Sequence, residues 1–556
     1  MTMFSSFDRI DTFNKLENES YDVLIIGGGI TGAGIALDAV TRGLKVGLVE
    51  MQDFAGGTSS RSTKLVHGGL RYLQQFEIKM VAEIGKERAI VYENGPHVTT
   101  PEWMMLPFHK GSTLGPFTTN IGLRVYDFLA GVKKSERRKM LSPQEALQRE
   151  PLIKKDGLKG AGYYVEYKTD DARLTIEVMK KAVASGVRAI NYAKVTDFIY
   201  DESKKIVGIT VEDQIDQGTY NLYAKKIINA GGPWVDELRE IDGSKKGKTL
   251  HLTKGIHLVF PKNVFPLEQA IYFDTPDGRM IFAIPRGNKT YVGTTDTTYK
   301  GNIAHPVMTE ADENYVLNAI NYMFPSLKMK KEDVESSWTG IRPLIEEEGK
   351  NSPSEISRKD EIFVSDSGLI SMAGGKLTGY RKMAEQAVDT VVKQLKAEEG
   401  IIYTESATIH LPISGGDVGG STGFQSFKQQ KVNEGIELGL DEATASEFVA
   451  TYGSNVDILF DIYQSRKEEA VKENIDPAVF AKLIYAMEYE AAYKPVDFFI
   501  RRTGALFFDI HWVRTNKENV IQYMAKILQW NEEQRVRYVS ELEQLMHEAV
   551  TPVKDA

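Results

Sequence analysis

The residues best suited to chemistry in this sequence are three glycines and an acid. Gly27, Gly29 and Gly32 form a Gly-x-Gly-x-x-Gly turn directly after the apolar run 21–26, and Glu50 ends a second apolar run, Val46 to Val49. The first glycine makes a tight turn, the second lets the backbone approach a pyrophosphate, and the third lets helix and strand pack closely. Ile30 and Thr31 open the helix that follows, whose unpaired N–H groups and positive dipole end suit phosphates. Glu50, about 20 residues on, can bind ribose hydroxyls and disfavours a 2′-phosphate, so NAD or FAD is expected rather than NADP. The turn alone is a weak signal. Strand, turn, helix, strand and acid in that order make it specific.

The 556 residues include no Cys. That excludes disulfides, thiolate nucleophiles, iron–sulfur clusters and a cysteinyl-linked flavin, so redox chemistry must come from a non-covalently bound organic cofactor. Two of the nine histidines, His67 and His257, lie in well-marked segments. Either could accept a proton near neutral pH. No His-Glu-x-x-His occurs, and no metal site is predicted. Thr58, Ser59, Ser60 and Ser62 offer hydroxyls and loop N–H groups, with Lys64 and Leu65 next in line. Gly374-Gly375-Lys376-Leu377-Thr378 precedes a helix and could direct N–H groups at developing negative charge. Ala230, Gly231 and Trp234 lie in Asn229-Ala230-Gly231-Gly232-Pro233-Trp234, which ends a strand beside the nucleotide crevice. Only one glycine fingerprint is evident, which argues against a second dinucleotide site.

The elements that must position these residues divide into blocks. The length requires two or three domains. Helical periodicity predicts helices near 75–93, 173–185 and 309–323, and strands at 206–211, 226–229 and 369–372. From Lys254 to Thr298 the pattern becomes an antiparallel meander, with strands at 257–260, 270–273, 279–284 and 290–294 and turns at 275–278 and 285–289. The Gly/Ser/Pro-rich segment 412–421 reads as a linker, and the remainder as mostly helical. The aromatic stretch from Pro495 to Phe508 reads as the core of that helical part, with docking on a membrane interface as the alternative. A net charge of −9 gives no support for nucleic-acid binding. The N-terminus lacks the apolar core of a signal peptide, and the run 23–40 is interrupted by glycines and Asp38. The expectation is a cytoplasmic chain, or one peripheral to the inner face of the membrane without crossing it.

The motifs 26–34, Thr58-Ser59-Ser60 with 62–72, 229–234, Gly293-Thr294-Thr295-Asp296 and 374–381 resemble those of the FAD-dependent glycerol-3-phosphate dehydrogenases, a branch of the D-amino-acid-oxidase-like flavoproteins. The string Lys-Leu-Val-His-Gly-Gly-Leu-Arg-Tyr at 64–72 carries most of the specificity, and the likeness spans nearly the whole chain. It implies an α/β architecture: a Rossmann-like FAD-binding domain (1–100, 165–250 and 355–400), an antiparallel-sheet substrate domain (101–164 and 251–354) and a C-terminal helical domain (401–556). It also implies oxidation of glycerol 3-phosphate to dihydroxyacetone phosphate, with electrons passing to membrane quinone. Close relatives, the glycerophosphate oxidases, use oxygen instead. The substrate's phosphate dianion calls for fixed positive charge, preferably guanidinium. The resemblance maps Arg71, Tyr72, His257, Arg342, Arg358 and Lys376 to the substrate pocket. A role in RNA modification or as a scaffold is the rival reading; the charge balance and the missing cysteines weigh against it. Assembly into a homo-oligomer is compatible with the sequence.

Overall fold

The computed structural model describes residues 4–67, 78–110, 115–129, 136–347 and 360–555. Two sheets and a helical domain account for most of them, and the fingerprint lies where the sheets meet.

The first sheet is parallel at its centre. Ile370–Ala373, Thr219–Asn229, Ser20–Ile26, Val46–Val49 and Arg188–Ile190 lie side by side in that order. Val23, Leu24, Ile25, Leu48 and Val49 are fully buried, as expected for strands covered on both faces. One face carries the helices Ile30–Thr41, Asp171–Ala184 and Tyr380–Glu399, packed through Ile35, Val178, Ala384 and Val388. The other face is covered through Val195, Phe198, Ile209 and Leu222 by an antiparallel extension of the sheet. Helix Asp171–Ala184 starts on a cap, the Asp170 carboxylate accepting from the Arg173 N–H.

The second sheet is mainly antiparallel. Its order is Thr297–Thr298, Lys248–Pro261, Lys289–Gly293, Met280–Arg286, Ala270–Asp274, Thr99–His109, Leu158–Thr169 and Leu65–Val66, with Ser336–Glu347 also paired to Lys248–Pro261. The expected strand at 257–260 is thus the end of a 14-residue strand. The expected turn at 285–289 shrinks to Gly287 and Asn288, because the flanking strands run on through Arg286 and from Lys289. Residues 164 and 165, on either side of the expected domain boundary, both lie within Leu158–Thr169, all of it in this sheet. Leu65 and Val66 pair with Lys168 and Tyr167, which ties the loop after the fingerprint to the second sheet. That tie brings His67 to the junction.

Helices from Gly420–Glu437 to Glu532–Val550 form the third block. Phe498, Phe499, Leu506 and Phe507 are buried in its core. This removes the alternative of a membrane-docking face there, since those side chains are already taken up by packing. No helix among the described residues is long and apolar enough to cross a membrane.

Candidate functional site

A cavity of about 1340 Å³ runs between the two sheets. That exceeds the roughly 300–1,000 Å³ of an ordinary small-ligand pocket and leaves room for a dinucleotide plus a small substrate.

Gly27, Gly29, Ile30, Thr31 and Glu50 line the cavity. Gly27 has φ +115°, and a Cβ there would stand 2.5 Å from the Ala230 carbonyl oxygen. Gly32 lies behind the turn, where a Cβ would overlap the Gly27 carbonyl oxygen. At Gly29 a Cβ would meet only Ser59 Oγ, at 3.2 Å. The protein therefore needs Gly27 and Gly32 for its own packing, whereas the space before Gly29 is kept open. Ser59 Oγ accepts from the Ile30 N–H at 3.0 Å, docking the hydroxyl loop on the helix start. Glu50 accepts from the N–H groups of Gly28 (2.6 Å) and Gln52 (2.7 Å). Burial raises its pKa, and those two N–H groups partly offset the rise. This cradle fits the adenosine and pyrophosphate half of FAD.

Thr58, Ser59, Ser62, Leu65, His67, Ala230, Gly231, Trp234, Lys376, Leu377 and Thr378 also line the cavity, as the sequence predicts. Ser60 and Lys64 do not. Ser60 is buried, and Lys64 Nζ is held by Asp171 Oδ1 (2.5 Å) and the Ser60 carbonyl (3.0 Å), so the lysine side chain pins the loop from behind. Arg71, Tyr72 and Arg358 lie outside the described residues.

His67 is fixed by its backbone: its N–H donates to Thr378 Oγ1, and its carbonyl accepts from the same hydroxyl, each at 3.1 Å. Its ring meets Phe282 edge-on at 5.9 Å. This lock joins the loop after the fingerprint to the 376–379 turn, and both line the cavity.

His257 is built differently. Its ring stacks on Trp338 at 4.6 Å and 10°, Nε2 lies 3.0 Å from Thr63 Oγ1, and the residue is 1% exposed. Burial, reinforced by Arg342 and Lys64, holds its pKa well below the usual histidine range. It is neutral at pH 7 and a poor proton acceptor, because an imidazolium there would be buried beside two cations. Its burial beside Arg342 and Lys64 therefore counts against His257 as the base.

Arg342 points over Gly255, where a Cβ would stand 2.5 Å from Nη2. Its guanidinium donates to Thr294 Oγ1 (2.8 Å), the Thr295 carbonyl (3.0 Å) and Asp296 Oδ1 (3.4 Å). Gly255 and Gly340 are cross-strand partners in the same sheet: the first leaves room for the Arg342 guanidinium, the second for the Arg61 backbone, whose carbonyl oxygen a Cβ would overlap. The segment 293–296 thus orients the cation. From sequence that motif carries no assigned task, and Thr63 and Trp338, although they lie in or beside marked segments, carry no assigned role. The glycines beside His257 and Arg342, in Lys-Gly-Ile-His and Thr-Gly-Ile-Arg, were the available signal.

A family model described as FAD dependent oxidoreductase matches residues 22–381, and one described as the C-terminal domain of alpha-glycerophosphate oxidase matches 406–535. The aerobic glycerol-3-phosphate dehydrogenase of Bacillus subtilis is 62% identical over 99% of both chains, and that of Staphylococcus haemolyticus 57% identical over 98% of both. The crystal structure of the glycerol-3-phosphate dehydrogenase from Bacillus halodurans complexed with FAD is 49% identical, with a TM-score of 0.87 and full coverage of both chains. The glycerophosphate oxidase of Mycoplasma pneumoniae shares the fold, with a TM-score of 0.55 at 18% identity over 70% of this chain and 97% of its own. With a glycine fingerprint, a buried acid beside it and a cation-bearing cavity in place, and likeness over the full length, the chain belongs to the FAD-dependent glycerol-3-phosphate dehydrogenase family.

Proposed function

We propose that this chain oxidises glycerol 3-phosphate to dihydroxyacetone phosphate and passes the electrons to membrane quinone. The observation that carries the reading is Arg342, a guanidinium aimed into the cavity by Thr294 and Thr295 on the side shared with His257. When bound, FAD supplies the hydride acceptor for the secondary alcohol at its N5. The residues supply the rest. Arg342 and Lys376, with Arg71, Tyr72 and Arg358 as the resemblance implies, bind the phosphate dianion. Charge-assisted bonds from fixed guanidinium groups also set the register of the glycerol backbone. His67 takes the C2 hydroxyl proton. His257, neutral and held by Thr63 and Trp338, offers a fixed polar edge that orients the hydroxyl without competing for its proton. The N–H groups of the 376–378 turn stabilise negative charge as it builds on the cofactor.

The family likeness supports quinone as acceptor, and among the described residues no group of His, Asp and Glu is arranged to hold a metal relay. The test is steady-state turnover of purified protein with glycerol 3-phosphate, supplied with either a soluble quinone or oxygen alone. The reading predicts turnover that rises with quinone and little hydrogen peroxide. Stoichiometric peroxide with no gain from quinone would assign an oxidase.

A further inference from the structure

The loop that begins at Glu50 is held from two sides. On the cavity side the Glu50 carboxylate binds the N–H groups of Gly28 and Gln52, and the Gly28 carbonyl accepts from the Ala55 N–H at 3.0 Å. On the opposite side Asp53 points away into the helical domain and is fully buried there. Its carboxylate accepts from Arg501 Nε at 2.5 Å, from Arg502 Nη1 and Nη2 at 2.7 and 2.9 Å, and from Asn191 Nδ2 at 3.0 Å. Both arginines belong to a π-helical turn, Asp497–Arg502, a winding uncommon in proteins and frequent at functional positions. That turn is itself fixed. Asp497 accepts from Arg501 and from the Tyr192 hydroxyl, and the Glu490 carbonyl accepts from Arg502.

Neither arginine nor Asp53 lines the cavity, and the proposed reaction uses none of them. Nor is interface stability a sufficient reason for them. A buried ion pair costs much of its Coulomb gain in desolvation, and packed apolar side chains would hold two domains together as well. What a doubly gripped carboxylate provides is position. Burial alone would push the Asp53 carboxyl up, but Arg502 and Arg501 pull it down to about 2, so it stays charged and gripped at every working pH.

We infer that Arg501 and Arg502 are positioning residues for FAD: through Asp53 they fix the Glu50 loop, so that the helical domain sets the affinity for the adenosine end of the cofactor. The inference rests on the reading of Glu50 as the ribose acid.

The test is a double-mutant cycle read as the FAD dissociation constant of full-length apoprotein, titrated by flavin fluorescence. Glu50→Gln alone should weaken FAD at least tenfold. Arg502→Lys, which keeps a charge but cannot make the two-pronged contact, should also weaken it about tenfold. In the Glu50→Gln background the same Arg502→Lys change should cost less than twofold, because the route to the cofactor is already cut. Should the lysine variant not fold, Asp53→Asn enters the same cycle. An unchanged constant for Glu50→Gln would overturn the ribose reading and the inference with it. A tenfold loss for Glu50→Gln combined with no loss for Arg502→Lys, or with losses that multiply in full, would overturn the positioning role alone.

Discussion

Two glycines two residues apart should fail in different ways when given a side chain. At Gly27, φ is +115° and an added Cβ stands 2.5 Å from the Ala230 carbonyl oxygen and 2.8 Å from its carbon. The disfavoured backbone costs about 1–2 kcal/mol, and relieving the overlap costs about 1–3 kcal/mol more. Gly27→Ala should therefore destabilise the apoprotein by about 2–5 kcal/mol. Gly29 has φ −75° and ψ −179°, open to any residue, and its added Cβ meets only a rotatable hydroxyl at 3.2 Å. Gly29→Val should cost the apoprotein under about 1 kcal/mol, the scale of a changed helix cap. The loss at Gly29 should appear in the cofactor. A side chain there pushes the pyrophosphate off the helix start, and losing two charge-assisted N–H contacts at about 1.5 kcal/mol each weakens FAD at least 100-fold. Thermal melting of apoprotein and fluorescence titration with FAD separate the two effects. Wild-type FAD affinity in Gly29→Val, or a melting loss equal to that of Gly27→Ala, would refute this account of the turn.

Gly255→Ala leaves Arg342 in the chain but pushes its guanidinium aside, so kcat/KM for glycerol 3-phosphate should fall about as far as in Arg342→Met, by several kcal/mol in either case. Activity on unphosphorylated glycerol should fall much less in both, and equal losses on the two substrates would make Arg342 structural. His67→Gln should still bind FAD, while the rate of flavin reduction drops by about 10²–10⁴-fold; an unchanged rate would exclude His67 as the base. Burial, then Lys180 and Arg173, hold His97 down to about 3, and His257 is depressed as well. The unfolded chain therefore takes up protons below pH 6.5 that the folded chain refuses, and each histidine withdraws about 1 kcal/mol of stability per pH unit as pH falls from there. Melting temperatures from pH 7 to 5 should decline less steeply in His97→Gln than in wild type, and parallel curves would contradict the assignment. On cell fractionation, part of the protein should sit on membranes and be released by salt or mild detergent; an exclusively soluble pool would count against quinone as acceptor.

The parts of this molecule that could be read from sequence are those whose cause is local. The runs 21–26 and 46–49, the glycine turn and Glu50 act within about 30 residues, the span of one βαβ unit. The helix at Asp171–Ala184 shows its amphipathic spacing directly. The long strands Thr99–His109, Leu158–Thr169 and Ser336–Glu347 were not recognised, because their pairing partners lie far off in the chain. The candidate site divides in the same way. Loop residues were legible from their types, but the stacking of His257 on Trp338 joins positions 81 residues apart, a pairing set by strand register alone. Lys64 looked like a cofactor contact because it stands among loop hydroxyls. Its partner, Asp171, is 107 residues away, and only the folded chain brings the two together.

The most direct test of the central claim is anaerobic mixing of the purified holoenzyme with glycerol 3-phosphate while flavin absorbance is followed. The account predicts rapid, complete bleaching near 450 nm (roughly the oxidised-flavin band), one dihydroxyacetone phosphate formed per flavin, and recovery of the colour when quinone is added. Flavin that stays oxidised under saturating glycerol 3-phosphate, or that bleaches equally fast with unphosphorylated glycerol, would contradict it.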